Sequence, residues 1–360
     1  MAEAESIEAL SLSFTAGVLA GTAVSGGFPW ELSAAVLALS VAPALLKKRL
    51  PSLPGHVSAA IILASFLLAG LFSGIVAGIP SVPFSLPLAS WADAACLRLK
   101  ALIGRIPFPS EGTAPLLTAL LTGDRSGLAP ENVAAFRESG ASHILALSGL
   151  HLGILYVILD RLSRLGGRFP WSRAVRFGAI VLSAGFFTLM TGASPSLVRA
   201  FLFIVINEVL RLAGRPRKAS RVLCLALLVQ LILDPTAIRS LGFQLSYLAM
   251  AGIFLLYPFL EAWYPPSPAW DPFRRIWKGA ALSISCQIFT APLAWLRFHT
   301  FPRYFLLTNL LALPLTTALM TCAVLTIALY ALGLCPGVLI TVTDTLCNGL
   351  QRALEIIAGM

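Results

Sequence analysis

Charge is scarce in this chain, and its scarcity excludes most of the possible classes. Only 12% of the 360 residues are Asp, Glu, Lys or Arg, against 58% hydrophobic, and the mean hydropathy is +0.86. So little polar surface cannot coat a water-soluble globule of this length, and a polytopic membrane protein follows. Histidine is rarer still: His56, His143, His151 and His299 are all there is, with no H-x-H-x-D-H among them, so no dinuclear zinc centre is expected. The six cysteines form no C-x-x-C pair and lie mostly in apolar runs, where they read as small core residues rather than disulfides or metal ligands. No G-x-x-x-x-G-K-[ST] occurs, so a nucleotide-driven motor has to be sought elsewhere. No metal and no cofactor are therefore expected. The opening MAEAESIEAL is acidic and has no small-x-small site, which argues against a cleaved signal peptide.

What the chain has is apolar runs of membrane-crossing length. They fall near 9 to 26, 30 to 46 and 57 to 79, then near 174 to 191, 196 to 212, 221 to 234, 240 to 260, 279 to 297, 304 to 333 and 337 to 358. With the histidine segment described below they predict an all-α transmembrane bundle of about 10–11 spans. Three parts are expected: N-terminal helices over 1–79, a connector over 80–141, and a membrane domain over 142–360. The connector opens with IPSVPFSLP and is too polar to span. Within it, ASWADAACLRLKALIG has the spacing of an interfacial amphipathic helix, and PENVAAFRESG reads as a short helix begun by Pro130 and stopped by Gly140. Pro314 divides the run from 304 to 333 and predicts a broken or re-entrant helix there.

The net charge of +10 sits largely in short connections between apolar runs, where its first meaning is orientation. KKR at 47 to 49, the arginines 161, 164, 168, 173 and 176, the cluster from Arg211 to Arg221, and Arg274, Arg275 and Lys278 fall on one side. The turns at 26 to 29, 192 to 195 and 235 to 239 carry almost no positive charge. With the basic side cytoplasmic, the N-terminus lies inside, and the connector and C-terminus lie outside.

One stretch is out of keeping with its surroundings. SHILALSGLHLGIL, residues 142 to 155, places two histidines and a Ser-Gly pair in a run of membrane type, where ionisable groups are costly and mark functional sites. On a continuous helix at about 100° per residue, His143 and His151 stand about 80° apart and Ser148 about 60° from His151. The three then share one wall. Gly149 and Gly153 lie opposite, at the G-x-x-x-G spacing that lets another helix approach closely. Arg199, Asn207, Glu208 and Gln244 add polar groups at membrane depth.

Four blocks in order resemble the ComEC competence-protein family: LLTALLTGDRSGLAPENVAAFRESGASHILALSGLHLGIL, TGASPSLVRAFLF, DPTAIRSLGFQLSYLAMAGIFLL and APLAWLRFHTFPRYFLLTNLLALPL. The resemblance runs from about 113 to 330. It implies a channel translocating single-stranded DNA across the bacterial cytoplasmic (inner) membrane, with no enzymatic activity of its own. The family's OB-like domain and its metallo-β-lactamase-like nuclease find no counterpart in these 360 residues, which leaves a natural short member, a gene fragment, or a subunit that works with a separately encoded nuclease. A cytoplasmic helicase or translocase, single-stranded DNA, the lipid bilayer and further copies of the chain are the other partners the resemblance implies. Such a channel needs a donor-rich path for phosphates and sequence-tolerant stacking surfaces. Arg125, Arg199, Arg239, His143, Ser148, His151 and Gln244 are the candidates for the path, and Phe243 and Tyr247 for stacking.

Two other readings compete. ALSGLHLG differs from the rhomboid-type G-x-S-G-x-x-x-G by Ala146, and an intramembrane serine hydrolase would use Ser148 as nucleophile with His299 or His151 as base. A non-conducting remnant of a ComEC protein is the other.

Overall fold

Helices that carry glycine on one face can bring their backbones together, and the first two described helices meet in this way on both sides of their contact. The computed structural model describes residues 7–24, 55–76, 87–164, 170–265, 271–299 and 303–360. The expected span near 30 to 46 and the KKR turn lie outside them. α1 (Ile7–Val24) and α2 (Gly55–Val76) pair through Gly17 and Gly21 on one and Gly70 and Gly74 on the other. A Cβ on Gly74 would stand 2.5 Å from the Val18 carbonyl oxygen and 2.8 Å from the Thr22 nitrogen, and one on Gly17, Gly21 or Gly70 would collide with backbone as well. Ser13 ties the pair by donating to the Leu63 carbonyl at 2.7 Å.

The remaining described helices are α3 (Pro87–Arg105), α4 (Thr113–Thr122), α5 (Pro130–Glu138), α6 (Ser142–Leu145), α7 (Gly149–Arg164), α8 (Pro170–Met190), α9 (Pro195–Leu212), α10 (Ala219–Leu233), α11 (Leu241–Leu255), α12 (Tyr257–Ala262), α13 (Pro272–Phe298), α14 (Phe305–Ala331) and α15 (Gly337–Ala358), with a 3-10 turn at Pro235–Arg239. No strand occurs among the described residues. Five stretches among them are long and apolar enough to cross a membrane: Ala59–Val76, Arg173–Met190, Leu241–Ala262, Pro272–Phe298 and Phe305–Ala331. The protein is a helical membrane bundle. The segments expected to span near 196 to 212 and 337 to 358 are helices that fall outside this set, because three charges on α9 and the polar face of α15 dilute them.

The chain divides into two compact units. One unit comprises Met1–Ser85, Arg168–Val181 and Val198–Gln244. In it Ser11 of α1 donates to the Cys224 carbonyl of α10 at 2.9 Å. Glu208, only 2% exposed, is held by Arg176 at 3.2 Å and Arg211 at 3.1 Å, so its charge is compensated where it is buried.

The second unit comprises Leu86–Gly167, Leu182–Leu197 and Leu245–Met360. Its core gathers Ile103 and Ile106, Leu116, Leu117 and Leu120 of α4, Phe136 of α5, Ile144 and Leu145 of α6, Ile154 of α7, Leu319 and Met320 of α14, and Cys347, Leu350 and Leu354 of α15. Seven of the ten residues of α4 are buried, although its run is too short to register as a span. α15 buries a stripe at alternating spacings of four and three, Thr343, Cys347, Leu350, Leu354 and Ile357, as an amphipathic helix must. α14 is continuous through Pro314, contrary to the broken helix expected from sequence. The buried stripe Thr308, Ala312, Thr316, Leu319, Met320 and Ala323 runs on either side of the proline, and that packing holds the helix together across the one hydrogen bond proline withholds.

Candidate functional site

The histidine segment is not one helix. α6 ends at Leu145, Ala146 is extended (φ −77°, ψ 127°), and α7 begins at Gly149. The shared helical wall of His143, Ser148 and His151 expected from sequence is thus corrected: a break separates the first from the other two. The cause is local. Ser148 occupies the N-cap of α7, its Oγ accepting from the Leu150 N–H at 3.3 Å, while its own N–H donates to Nδ1 of His151 at 3.3 Å. This is the reciprocal arrangement of a capping box with histidine in the place usually held by Glu or Gln. Serine offers the backbone a partner outside the helix, which favours a helix start here over continuity.

The cap also fixes the imidazole. Because a backbone N–H can only donate, Nδ1 of His151 accepts, and the neutral ring carries its proton on Nε2. His151 is 2% exposed, and Nε2 is buried with no partner among the described residues. His143 is exposed and turned to a different task, its Nδ1 donating to the Gly140 carbonyl at 3.2 Å. That bond closes the α5–α6 turn, where Gly140 takes a φ of 81° that only glycine adopts without strain.

A second turn abuts the break. Gly123 ends α4 with a φ of 79°, and a Cβ there would stand 2.7 Å from the Leu147 side chain. The GDRSG turn is pinned one residue further on by Lys100 of α3, whose ammonium lies 2.6 Å from Asp124 Oδ2, while Asp124 Oδ1 accepts from the Ser126 N–H at 3.0 Å. The Lys100 hydrogen bond and the Ser126 N–H hold the Asp124 carboxyl well below the usual carboxylate range, and the same bond raises Lys100. Arg125, between these anchors, is exposed.

The other candidates fall elsewhere. Arg125, His143, Ser148 and His151 belong to the second unit, whereas Arg199, Arg239 and Gln244 belong to the first. Gln244 donates to the Ile238 carbonyl at 2.8 Å, and Arg239 donates to the Thr22 carbonyl, so both brace the 3-10 turn. Phe243 is 4% exposed and cannot offer a stacking face. Gly153 is not a close-packing position: an added Cβ would meet nothing within 4 Å among the described residues. In the second unit the close backbone approach occurs at Gly252, whose Cβ would collide with the Ser285 carbonyl. His299, a candidate base in the hydrolase reading, ends α13 in a left-handed conformation and is exposed. Among the described residues no group of three His, Cys, Asp or Glu side chains could hold a metal.

Sequence reasoning passed over one polar centre altogether. Asp344 of α15, 5% exposed, accepts from Ser110 N at 3.1 Å, Ser110 Oγ at 2.8 Å, Thr113 Oγ1 at 2.5 Å and Asn348 Nδ2 at 3.1 Å. The available signal was a carboxylate four residues ahead of Asn348 inside an apolar run, which puts both on one helical face.

The family model described as Competence protein matches residues 120–360. The chain belongs to this family. Among curated proteins it is 27% identical over 209 residues to "Uncharacterized protein YcaI" of Escherichia coli (strain K12), covering 56% of this chain and 27% of that one. It is 26% identical over 207 residues to "ComE operon protein 3" of Bacillus subtilis (strain 168), covering 56% and 24%. To "Competence protein ComA" of Neisseria gonorrhoeae it is 31% identical over 147 residues, covering 38% and 20%. The matched region spans only 20–27% of the length of these three relatives. No solved structure matches.

Proposed function

We propose that this chain is the membrane part of a conduit that carries single-stranded DNA across the cytoplasmic membrane, acting in DNA-uptake competence. The observation that carries this reading is the family match over residues 120–360, together with relatives named for competence. The site's chemistry supports it. A strand with a phosphate at every nucleotide needs donors and positive charge without base readout. The second unit offers the exposed Arg125 on the turn after α4. In this reading the basic loops face the cytoplasm, the 80–141 segment and the C-terminus face outward, and the strand is handed on from a separately encoded nuclease to a cytoplasmic motor.

The same pair of residues bears on the hydrolase reading. Ser148 Oγ lies 3.2 Å from His151 Nδ1, but that nitrogen also takes the Ser148 N–H, Oγ takes the Leu150 N–H, and Nε2 meets no orienting carboxylate among the described residues. Such an arrangement serves a helix cap better than a nucleophile and its base. The deciding experiment is DNA uptake in a competent strain deleted for its own family member and complemented with this chain. Restored uptake supports the conduit; none, with the chain present in the membrane at normal level, counts against it.

A further inference from the structure

Three buried polar atoms of the second unit have no partner among the described residues and sit on two helices that pack together: Nε2 of His151 on α7, and Oδ1 of Asn309 and Oγ1 of Thr316 on α14. Their placement is not scattered. His151 is three residues before Ile154 and seven before Ile158, hence on the same face of α7, and that face enters the core that Ala312, Leu319 and Met320 of α14 also line. Thr316 lies four residues from Ala312 and from Met320, and Asn309 seven residues before Thr316, so both share the inward face of α14.

The free hydroxyl of Thr316 is unusual for its own helix. Thr317, Thr321 and Thr326 each donate to the carbonyl four residues back at 2.7–2.8 Å, and Thr308 donates to the Ser139 carbonyl at 2.7 Å. Thr316 does neither, though it is fully buried. Two residues earlier Pro314 withholds the N–H that would bond the Leu310 carbonyl, which weakens α14 at this level. A buried donor or acceptor without a partner is costly, and native proteins retain few of them unless water or function claims them.

We infer that the α7–α14 seam at His151, Asn309 and Thr316 is a hydration gate, closed in this structure, that parts to admit water along the conducting path. The inference rests on the conduit reading for its purpose but not for its test. In the closed seam these three groups meet no partner among the described residues; parting it lets water reach all three, while the apolar contacts of Leu319 and Met320 favour closure. The two arrangements are thereby brought near balance, as a gate requires.

The test is substituted-cysteine labelling in native membranes, with all six native cysteines replaced and a positively charged, membrane-impermeant methanethiosulfonate as probe, applied to cells and to inverted vesicles. Thr316→Cys and Asn309→Cys are expected to label at least about tenfold faster than Leu354→Cys, buried on α15 outside the seam, because they line the face that opens. Equal, negligible labelling of all three in native membranes, with full labelling after denaturation, overturns the gate. A second measurement guards against misfolded variants: Thr316→Val removes an unpaired hydroxyl at constant volume and is expected to raise the thermal midpoint in detergent, whereas a lowered midpoint means the hydroxyl has a partner in the closed seam and overturns the inference. Labelling as expected with no DNA uptake by the complemented strain leaves the gate standing and removes the conduit.

Discussion

His151 accepts the backbone N–H of Ser148 at 3.3 Å while Ser148 caps the helix that His151 belongs to, so each residue holds the other at the start of α7. The helix start and the imidazole tautomer are one feature. Losing either partner loosens both, but the two losses differ in kind. Ser148→Ala removes a cap and is expected to lower stability by about 1 kcal/mol. Ser148→Thr retains it. Thermal unfolding in detergent, followed by near-UV circular dichroism, checks the order wild type, then Thr, then Ala.

Asp344 is the acceptor for Ser110, Thr113 and Asn348, which come from the loop ahead of α4, the start of α4, and α15 itself. Asp344→Ala leaves several buried donors unpaired, and a destabilisation of about 3 kcal/mol or more is expected. Val338→Thr on the exposed side of the same helix should change little. An Asp344→Ala protein as heat-resistant as wild type would show that this network does not hold α15 in place.

The Lys100–Asp124 pair gives a pH dependence with a definite sign. The folded carboxyl of Asp124 is depressed, so its contribution is present above the unfolded value of about 3.9 and is lost as pH falls through the folded one. Lys100 is raised, so its contribution is present below about 10.4 and is lost as pH rises through its folded value. The difference in thermal midpoint between wild type and Asp124→Asn should therefore be flat across neutral pH and shrink at the acid and alkaline ends. A difference that grows on acidification contradicts the pairing.

Glycine substitutions separate the helices that touch through backbone from those that do not. Gly70→Ala places a methyl against the Phe14 carbonyl and is expected to lower the yield of folded protein in mild detergent. Gly153→Ala meets open space and gains helix propensity, so yield should hold or rise slightly. Equal yields for the two would refute close packing of α1 on α2.

Much of the architecture could be read from the chain because lipid simplifies the code. The apolar runs at 174 to 191, 240 to 260, 279 to 297 and 304 to 333 all became long apolar helices, and Pro130 and Gly140 bracket α5 as their backbone preferences require. Three features escaped for separate reasons. The break at Ala146 depends on Ser148 choosing an N-cap over a helix interior, a competition that hydrophobic periodicity does not register. The continuity of α14 through Pro314 depends on tertiary packing along Ala312, Thr316 and Leu319, which overrides the local cost of a proline. Asp344 was hidden because two of its partners, Ser110 and Thr113, lie more than 230 residues away in sequence. The candidate path residues were grouped by chemistry alone, and packing assigned Gln244 and Arg239 to bracing a turn.

DNA uptake in the complemented deletion strain, comparing Ser148→Ala with His151→Leu, tests the central claim most directly. A nucleophile cannot be replaced without losing the reaction, whereas a path wall tolerates the loss of one hydroxyl. The account predicts that Ser148→Ala retains much of the uptake, and that His151→Leu, which seals the seam with an apolar group, abolishes it at normal expression. Equal and complete loss in both variants would point to a catalytic pair, and undiminished uptake in both would return these residues to ordinary packing.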